Sequence, residues 1–247
     1  MNEFPSEAYS AAQEKWLGRD HLVTPSILKH LDGGKLVEGK NVLDIGCGNG
    51  HYSRDLLKWG ATSVTGIDSS EDMIAQCEAH PDARLTFRVA DVTKLESEKT
   101  YDIAVAFFVL QFIHDKQQIR ETIERVCRVL TRNGIFLGII PNGVANLYPT
   151  REMGQRLGAA IERKPGSEFV DGELLPVKFY DNNEEVGHSI IALHSINFYD
   201  QAFRNSGFRR VEWYHPEFDD HAKQVLGEDF CQKWLNPPCD VIFKVFK

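Results

Sequence analysis

The stretch that decides the fold is Val42-Leu43-Asp44-Ile45-Gly46-Cys47-Gly48-Asn49-Gly50. Its apolar first half predicts a short strand over 41–45, and its three glycines predict a tight turn into a following helix. Because glycine has no side chain, a ligand can approach the backbone there and face the N-terminal end of that helix. The stretch therefore predicts a strand–turn–helix unit that binds a ligand at its turn.

Two further carboxylates follow strands that come later in the chain. Asp68 ends the β-branched run 63–67, and Asp91 follows the alternating run 85–89. The carboxyl ends of parallel strands share one edge of a sheet, where the ligands of such folds bind. At that edge Asp68 is placed to accept hydrogen bonds from two ribose hydroxyls, and Asp91 to accept one from an exocyclic adenine amine.

Residues 41–140 alternate between strand and helix signals. Apolar runs predict strands, and periodic apolar residues predict helices, over 41–45, 51–59, 63–67, 69–77, 85–89, 102–108, 119–130 and 135–140. Ser69 with Asp72 forms a capping-box pattern, and Asn133-Gly134 is expected to end the last of these helices. Five strands, with helices after the first, second and fourth, predict an α/β fold with a doubly wound parallel sheet.

The rest of the chain follows a different pattern. Residues 141–198 are predicted to contain a helix near 150–162 and a hairpin with arms over 174–180 and 187–195. A helix over 198–208, a strand over 209–214, a helical stretch near 219–235 and a last strand over 241–246 are expected to follow. We interpret residues 1–247 as one domain with an N-terminal helical cap over 5–32. The insertion over 141–198, after strand five, would form a lid over the substrate.

Composition and charge restrict the class of partner. The 247 residues include 36 acidic and 28 basic side chains, which gives a net charge of −8, and 42% are hydrophobic. These values are typical of a globular protein. The acidic balance and the lack of a dense basic patch argue against a nucleic-acid partner, because binding to a phosphate backbone requires positive charge.

The sequence also bears on the compartment. The N-terminus lacks the basic and apolar stretches of a signal peptide, and the longest apolar run, 103–110, is only of strand length. The five cysteines have no CxxC spacing and are expected to be reduced thiols. Asp219-Asp220-His221 has no second cluster at metal-ligand spacing, so no metal is expected. We expect a cytoplasmic monomer or homodimer with no membrane partner.

Two nucleotide cofactors could use a glycine turn of this kind. A nicotinamide dinucleotide favours G-x-G-x-x-G, which would require glycine where the chain has His51. The chain has G-x-G-x-G instead, preceded by Asp44. With acidic groups beside it, this turn suits a cationic adenosyl ligand that carries no phosphate.

These motifs together resemble those of the class I S-adenosylmethionine-dependent methyltransferases. Residues 42–50 are similar to the first motif of that family, 66–70 with Met73 to the second, 90–92 to the third and 101–108 to the fourth-strand motif. The resemblance implies a Rossmann-like seven-stranded sheet in a three-layer αβα arrangement, mostly parallel with an antiparallel C-terminal strand. Residues 227–230 and 234–238 are more distantly similar to small-molecule N-methyltransferases of the toxoflavin-synthase type.

The resemblance also implies the cofactor, S-adenosyl-L-methionine, with S-adenosyl-L-homocysteine as product. Tyr9 and Trp16 would close over it from the N-terminal helix, and Phe107 departs from the small or polar residues common in the family. The residues expected to bind the cofactor are Tyr9, Trp16, Asp44, Gly46, Cys47, Gly48, Asp68, Ser69, Met73, Asp91, Val92 and Phe107.

Contacts with the methyl acceptor are expected from the end of the fourth strand and from the insertion. The candidates are Phe108, Gln111, Phe112, Tyr148, Tyr180 and Tyr199, whose aromatic character favours a flat or partly apolar substrate. His114 and His194 are candidates for a general base, which an oxygen acceptor would need and a neutral nitrogen would not.

We therefore predict a methyltransferase that acts on a nitrogen or oxygen of a small aromatic or heterocyclic molecule. Catalysis would come from in-line positioning and the exclusion of water. Two other hypotheses remain open at this point: a nicotinamide-dependent oxidoreductase, and a non-catalytic partner subunit that binds the cofactor.

Overall fold

The computed structural model describes Ser10 and residues 16–79, 81–96, 99–143, 151–163 and 167–247. Its strands are β1 (Asn41–Ile45), β2 (Ser63–Asp68), β3 (Leu85–Val89), β4 (Tyr101–Phe107), β5 (Leu130–Pro141), β6 (Ala159–Ile161), β7 (Glu173–Asp181), β8 (Glu184–Leu193), β9 (Arg210–Tyr214) and β10 (Asp240–Phe246). Its α-helices are α1 (Thr24–His30), α2 (His51–Lys58), α3 (Glu71–Glu78), α4 (Lys116–Val129), α5 (Arg151–Arg156), α6 (Ile196–Asn205), α7 (Asp220–Leu226) and α8 (Glu228–Leu235).

Seven of these strands form one sheet, in the order β3-β2-β1-β4-β5-β10-β9. Strand β10 runs antiparallel to both of its neighbours, and the pairs from β3 to β5 are parallel. This confirms the predicted doubly wound sheet with an antiparallel C-terminal strand. Because the strand order reverses between β1 and β4, the two chain segments that leave these strands diverge and open a crevice at the carboxyl edge.

The two faces of the sheet have separate apolar cores, which confirms the three-layer arrangement. On one face, α4 and α6 pack Ile123 and Phe203 against Phe136 and Phe243 of the sheet. On the other face, a core that includes Ile27 and Leu56, from α1 and α2, packs against strands of the same sheet. Alternate residues of β1 contribute to the two cores, as expected for a strand covered on both sides.

Several predicted boundaries are wrong. Helix α3 is capped by Ser70, whose hydroxyl accepts from the Met73 amide, and not by Ser69. Asn133-Gly134 lies inside β5, since pairing of Leu130 with Tyr101 starts that strand immediately after α4. In the described part of the connection between β3 and β4, the chain forms a short 3-10 turn over Val92–Lys94.

The insertion after β5 forms a second, three-stranded sheet in the order β6-β7-β8. The predicted hairpin is confirmed, with Asn182 and Asn183 at its turn, both at positive φ. The helix expected near 150–162 is described only over Arg151–Arg156, because residues 159–161 pair with β7 instead. The helical stretch near 219–235 is two helices, separated at Gly227, which adopts a φ of 91°. Among the described residues, no helix has the length and apolar character needed to cross a bilayer.

Candidate functional site

The Asp68 carboxylate organises the carboxyl edge of the sheet. One of its oxygens accepts from the Gly48 amide at 2.9 Å, and the other accepts from the Ser70 amide at 2.9 Å. Asp68 ends β2, so these bonds tie the turn after β1 to the turn after β2. Each carboxylate oxygen can accept more than one hydrogen bond, which leaves capacity for a ligand hydroxyl.

A cavity of about 640 Å³, which we call the cofactor cavity, lies at this edge. Its volume falls within the range of roughly 300–1,000 Å³ that is typical of ligand sites. It brings together eight of the predicted cofactor residues, which are Gly46, Gly48, Asp68, Ser69, Met73, Asp91, Val92 and Phe107. Ser10 lies beside it, with its hydroxyl 3.3 Å from the Met73 sulfur, so part of the N-terminal segment reaches this cavity.

Asp91 is held at the cavity by the turn that follows β3. Its carboxylate accepts from the Thr93 amide at 2.9 Å and from the Thr93 hydroxyl at 2.7 Å. Partial burial alone would raise the pKa of this carboxyl group, but the two Thr93 bonds and the nearby Lys94 bring its pKa below the ordinary value. Asp91 is therefore a fixed anionic acceptor at neutral pH.

Asp44 lies beneath the glycine turn and does not line the cavity. It is buried, and one carboxylate oxygen accepts from the Ser53 hydroxyl at 2.5 Å. Burial raises the pKa of Asp44 to about 7, the Ser53 bond opposes that rise, and the negative charge of Asp68 adds to it. Cys47 also points away from the cavity. Its thiol and that of Cys77 both face the Gly48 carbonyl, at 3.7 and 3.1 Å.

A second cavity, of about 110 Å³, which we call the apolar cavity, adjoins the first and shares Phe108 and Phe112 with it. Its walls are mostly apolar and come from the N-terminal segment, from the small sheet and from the C-terminal region. Trp16 lines this cavity and packs edge-on against Phe108, with ring centroids 6.2 Å apart. The structure thus places Trp16 beside the predicted acceptor residues and not in the cofactor cavity, because its indole N–H donates to the Leu157 carbonyl.

Phe108 stands at the boundary between the two cavities in an unusual conformation. Its φ of 57° is in the left-handed region, which non-glycine residues seldom adopt. The amide of Phe108 donates to the Ile139 carbonyl at 2.9 Å, which holds the chain there as it leaves β4. Strain of this kind is concentrated at functional sites. Phe107 precedes it and packs edge-on against Tyr52, with centroids 4.7 Å apart.

Several other predicted site residues lie away from both cavities. Tyr199 is buried in the core beside Phe203, and burial raises the pKa of its hydroxyl. Tyr180 is buried next to a separate groove at the hairpin turn. These two positions do not fit acceptor contacts, because their side chains turn into packed interiors. Tyr9 and Tyr148 lie outside the described residues.

The two candidate bases occupy different environments. His114 lines the cofactor cavity, and its Nε2 lies 3.0 Å from the Ile190 carbonyl oxygen. The side chain of His194 is inaccessible to solvent, lies 3.7 Å from Asp171 and lines neither cavity. Burial lowers the pKa of His194 although Asp171 opposes that effect, so the imidazole is neutral. Of the two, only His114 lines one of these cavities.

Sequence reasoning missed several residues of the apolar cavity. Val177 lines it beside Phe179 of the same strand, β7, and its spacing of two residues from that aromatic side chain on a predicted hairpin arm was a signal that the two share a face. Asp240 and Trp234 also line it. The expected antiparallel C-terminal strand did not suffice to assign Asp240, because its place opposite Pro141 at the ligand edge depends on the register of β10 against β5.

The comparisons with known proteins agree with this geometry. Residues 42–134 match the family model described as a methyltransferase domain. A ubiquinone biosynthesis O-methyltransferase from Coxiella burnetii is 32% identical over 135 residues, which cover 52% of this chain and 56% of that protein. The chain thus spans little more than half the length of the curated relatives it matches.

Solved structures agree with the fold. A S-adenosylmethionine dependent methyltransferase from Mesorhizobium loti superposes with a TM-score of 0.60 at 20% identity, covering 87% of this chain and 96% of that one. A 1,6-didemethyltoxoflavin-N1-methyltransferase from Burkholderia thailandensis has a TM-score of 0.55 at 15% identity, covering 98% and 86%. The family match thus indicates a methyltransferase domain over residues 42–134, and the superpositions and the sheet order show that the chain has the fold of S-adenosylmethionine-dependent methyltransferases.

The two glycines of the turn allow a test of its packing. Both adopt positive φ, but a Cβ at Gly46 would lie 2.5 Å from Val109, whereas a Cβ at Gly48 would have no neighbour within 4 Å. We expect Gly48→Ala to cost about 1–2 kcal/mol of unfolding free energy from backbone strain alone. Gly46→Ala should cost roughly 1–3 kcal/mol more because of overpacking. Urea unfolding of both variants measures the difference, and equal losses would contradict the packing of Val109 on the turn.

The buried Asp44 carboxyl group predicts a pH dependence of stability. Its folded pKa of about 7 exceeds the ordinary value of 3.8, so between these pH values the folded state keeps a proton that the unfolded state releases. The stability contributed by this group is therefore lost as the pH rises from about 4 to 7, at up to roughly 1.4 kcal/mol per pH unit.

Asp44→Asn should remove this decline. Urea unfolding between pH 4 and 8 should show that the variant gains stability relative to the unsubstituted protein as the pH rises, and that the gain levels off above pH 7. Asp229→Asn, at an exposed position of α8, is the matched control and should follow the unsubstituted protein. Parallel curves for Asp44→Asn and the unsubstituted protein would show that Asp44 ionises freely in the fold.

Proposed function

We propose that the chain transfers the methyl group of S-adenosylmethionine to a nitrogen or oxygen of a small, flat and mostly apolar molecule. The observation that carries this proposal is the pair of adjoining cavities that share Phe108 and Phe112. One has carboxylates and open backbone at its edge, as an adenosyl ligand requires, and the other is apolar and small. Two ligands bound in these cavities would meet at the shared aromatic side chains.

The residues of the larger cavity fit the cofactor. The Asp68 and Asp91 carboxylates would accept from the ribose hydroxyls and the adenine amine, and Gly46 and Gly48 leave the backbone open to the amino-acid part. The anionic edge also suits a ligand with a positively charged sulfur. When bound, S-adenosylmethionine supplies a methyl group on a sulfonium, and the leaving group departs as a neutral thioether.

The protein would act mainly by positioning and by excluding water. The leaving group carries no charge, so no acid is needed to assist its departure. Phe108 and Phe112 would hold the acceptor against the methyl group, and the apolar walls would exclude water from the reacting atoms. We also propose that the N-terminal cap and the 141–198 insertion cover the bound substrates, since Trp16 and Phe179 both contribute to these walls.

A base would be needed only for an acceptor that must lose a proton as it reacts. His114 is the candidate, because it lines the cofactor cavity. If its Nε2–H donates to the Ile190 carbonyl, its Nδ1 is the nitrogen that can take a proton. The similar proteins include a ubiquinone biosynthesis O-methyltransferase and a 1,6-didemethyltoxoflavin-N1-methyltransferase, and the proposal includes both kinds of acceptor.

The proposal predicts a cofactor-binding defect at Asp68. Calorimetric titration should show that the unsubstituted protein binds S-adenosylmethionine and S-adenosylhomocysteine, and that Asp68→Ala binds both at least about 100-fold more weakly. The loss reflects two charge-assisted hydrogen bonds of roughly 1.5–3 kcal/mol each. Asp229→Ala, which removes an exposed carboxylate that pairs with Lys233, should bind like the unsubstituted protein.

The same titration separates the alternatives. Binding of NAD in place of S-adenosylmethionine would contradict the proposal and favour an oxidoreductase. Binding of S-adenosylmethionine without methylation of any amine, phenol or nitrogen heterocycle in a broad screen would favour a non-catalytic subunit.

A further inference from the structure

The apolar cavity contains two buried polar side chains. Gln111 and Asp240 both line it, and they are 4% and 7% exposed. Gln111 belongs to the 3-10 turn Leu110–Phe112 that follows β4, and Asp240 is the first residue of β10. Almost all of the remaining lining residues are apolar, so these two side chains are the main polar features of an otherwise hydrophobic space.

Gln111 is not fully satisfied by the protein, and Asp240 is a carboxyl group buried in a mostly apolar lining. The Gln111 Oε1 atom has no hydrogen-bond partner among the described residues. Burial raises the pKa of Asp240 to about 7, and the nearby Trp234 indole offsets only part of that rise. A buried acceptor without a partner costs about 1–3 kcal/mol, and an apolar side chain at position 111 would avoid that cost.

The cavity has the size and walls for one ring. An apolar cavity of roughly 150 Å³ holds benzene, and the volume here is about 110 Å³, on the same order. Aromatic side chains line it, among them Trp16, Phe179 and Trp234. A ring compound would therefore fit, and its polar substituents would need partners inside the cavity.

We propose that Gln111 and Asp240 recognise a hydrogen-bond-donating substituent, a hydroxyl or an amine, on a single-ring acceptor bound in this cavity. This inference rests on the proposed function for the identity of the occupant as methyl acceptor. The donor group would supply the hydrogen bond that Oε1 of Gln111 lacks. The Asp240 carboxyl group would accept either a second hydrogen bond from the same substituent or one from another donor on the ring.

Asp240 would position the acceptor without contacting the atom that receives the methyl group. Strand β10 is two strands away from β4 in the sheet, which is roughly 10 Å at ordinary strand spacing. The cofactor cavity lies at the ends of β1, β2 and β4. The substituent that Asp240 binds is therefore on the side of the acceptor that faces away from the cofactor. The atom that receives the methyl group is not part of that substituent.

Small ring probes test this inference without knowledge of the natural acceptor. Dissociation constants for toluene, phenol and aniline, measured by ligand-detected NMR with S-adenosylhomocysteine present, compare rings that differ only in the donor group. We expect phenol or aniline to bind the unsubstituted protein at least tenfold more tightly than toluene. Whichever of the two binds more tightly identifies the donor that the site prefers.

Two variants assign the preference to the proposed residues. Gln111→Met and Asp240→Leu should each reduce the preference for the donor-bearing ring by at least threefold, and toluene should bind as well as before or better. Retained binding of toluene and S-adenosylhomocysteine shows that each variant is folded. Asp229→Leu, the same change as Asp240→Leu at an exposed site, should keep the full preference.

Three results would overturn the inference. They are equal binding of toluene, phenol and aniline, an unchanged preference in both variants, and binding of none of the three probes. Failure of the protein to bind S-adenosylhomocysteine would contradict the proposed function. The ring titrations, repeated without S-adenosylhomocysteine, would still decide whether Gln111 and Asp240 recognise a donor group.

Discussion

The Asp68 carboxylate is the interaction on which the candidate site depends. It accepts one backbone amide from the turn after β1 and one from the turn after β2, and so fixes two adjacent strand ends relative to each other. A side chain is disfavoured at Gly46 and Gly48, because both residues adopt positive φ and a Cβ at Gly46 would meet Val109. The carboxylate that would bind the ribose is thus also the one that shapes the turn beside it.

Two buried carboxyl groups lie at the same edge of the sheet. Asp44 and Asp240 are both almost inaccessible, and burial raises the pKa of each to about 7. Burying two carboxyl groups lowers the stability of the fold near neutral pH. Both lie at the end of a strand that borders a cavity, and the strained backbone of Phe108 lies between the two cavities. Features that destabilise the fold therefore cluster where ligands are proposed to bind.

The sequence predicted the parts of the molecule that depend on local pattern. The strands over 41–45 and 85–89 match β1 and β3, and the glycine turn with Asp68 and Asp91 leads directly to the cofactor cavity. These features follow from short-range rules, since a strand, a turn and a helix cap each involve a few consecutive residues. The sheet's parallel pairing then brings the strand ends together at one edge.

What could not be predicted depends on contacts between distant segments. Asp240 reaches the apolar cavity because the register of β10 on β5 sets it opposite Pro141, and Trp16 is directed there by its bond to the Leu157 carbonyl. Tyr199 is aromatic and close in sequence to the insertion, but α6 turns it into the core. For such residues, side-chain type alone does not distinguish a ligand contact from core packing.

The central claim is that the carboxyl edge of β1, β2 and β4 binds S-adenosylmethionine beside a separate acceptor cavity. A crystal structure of the protein with S-adenosylhomocysteine tests it most directly. The account predicts ribose hydroxyls on Asp68, adenine near Asp91 and Met73, and the sulfur directed towards Phe108 and Phe112. Electron density for the ligand at any other place, or with its nucleoside away from Asp68, would contradict it.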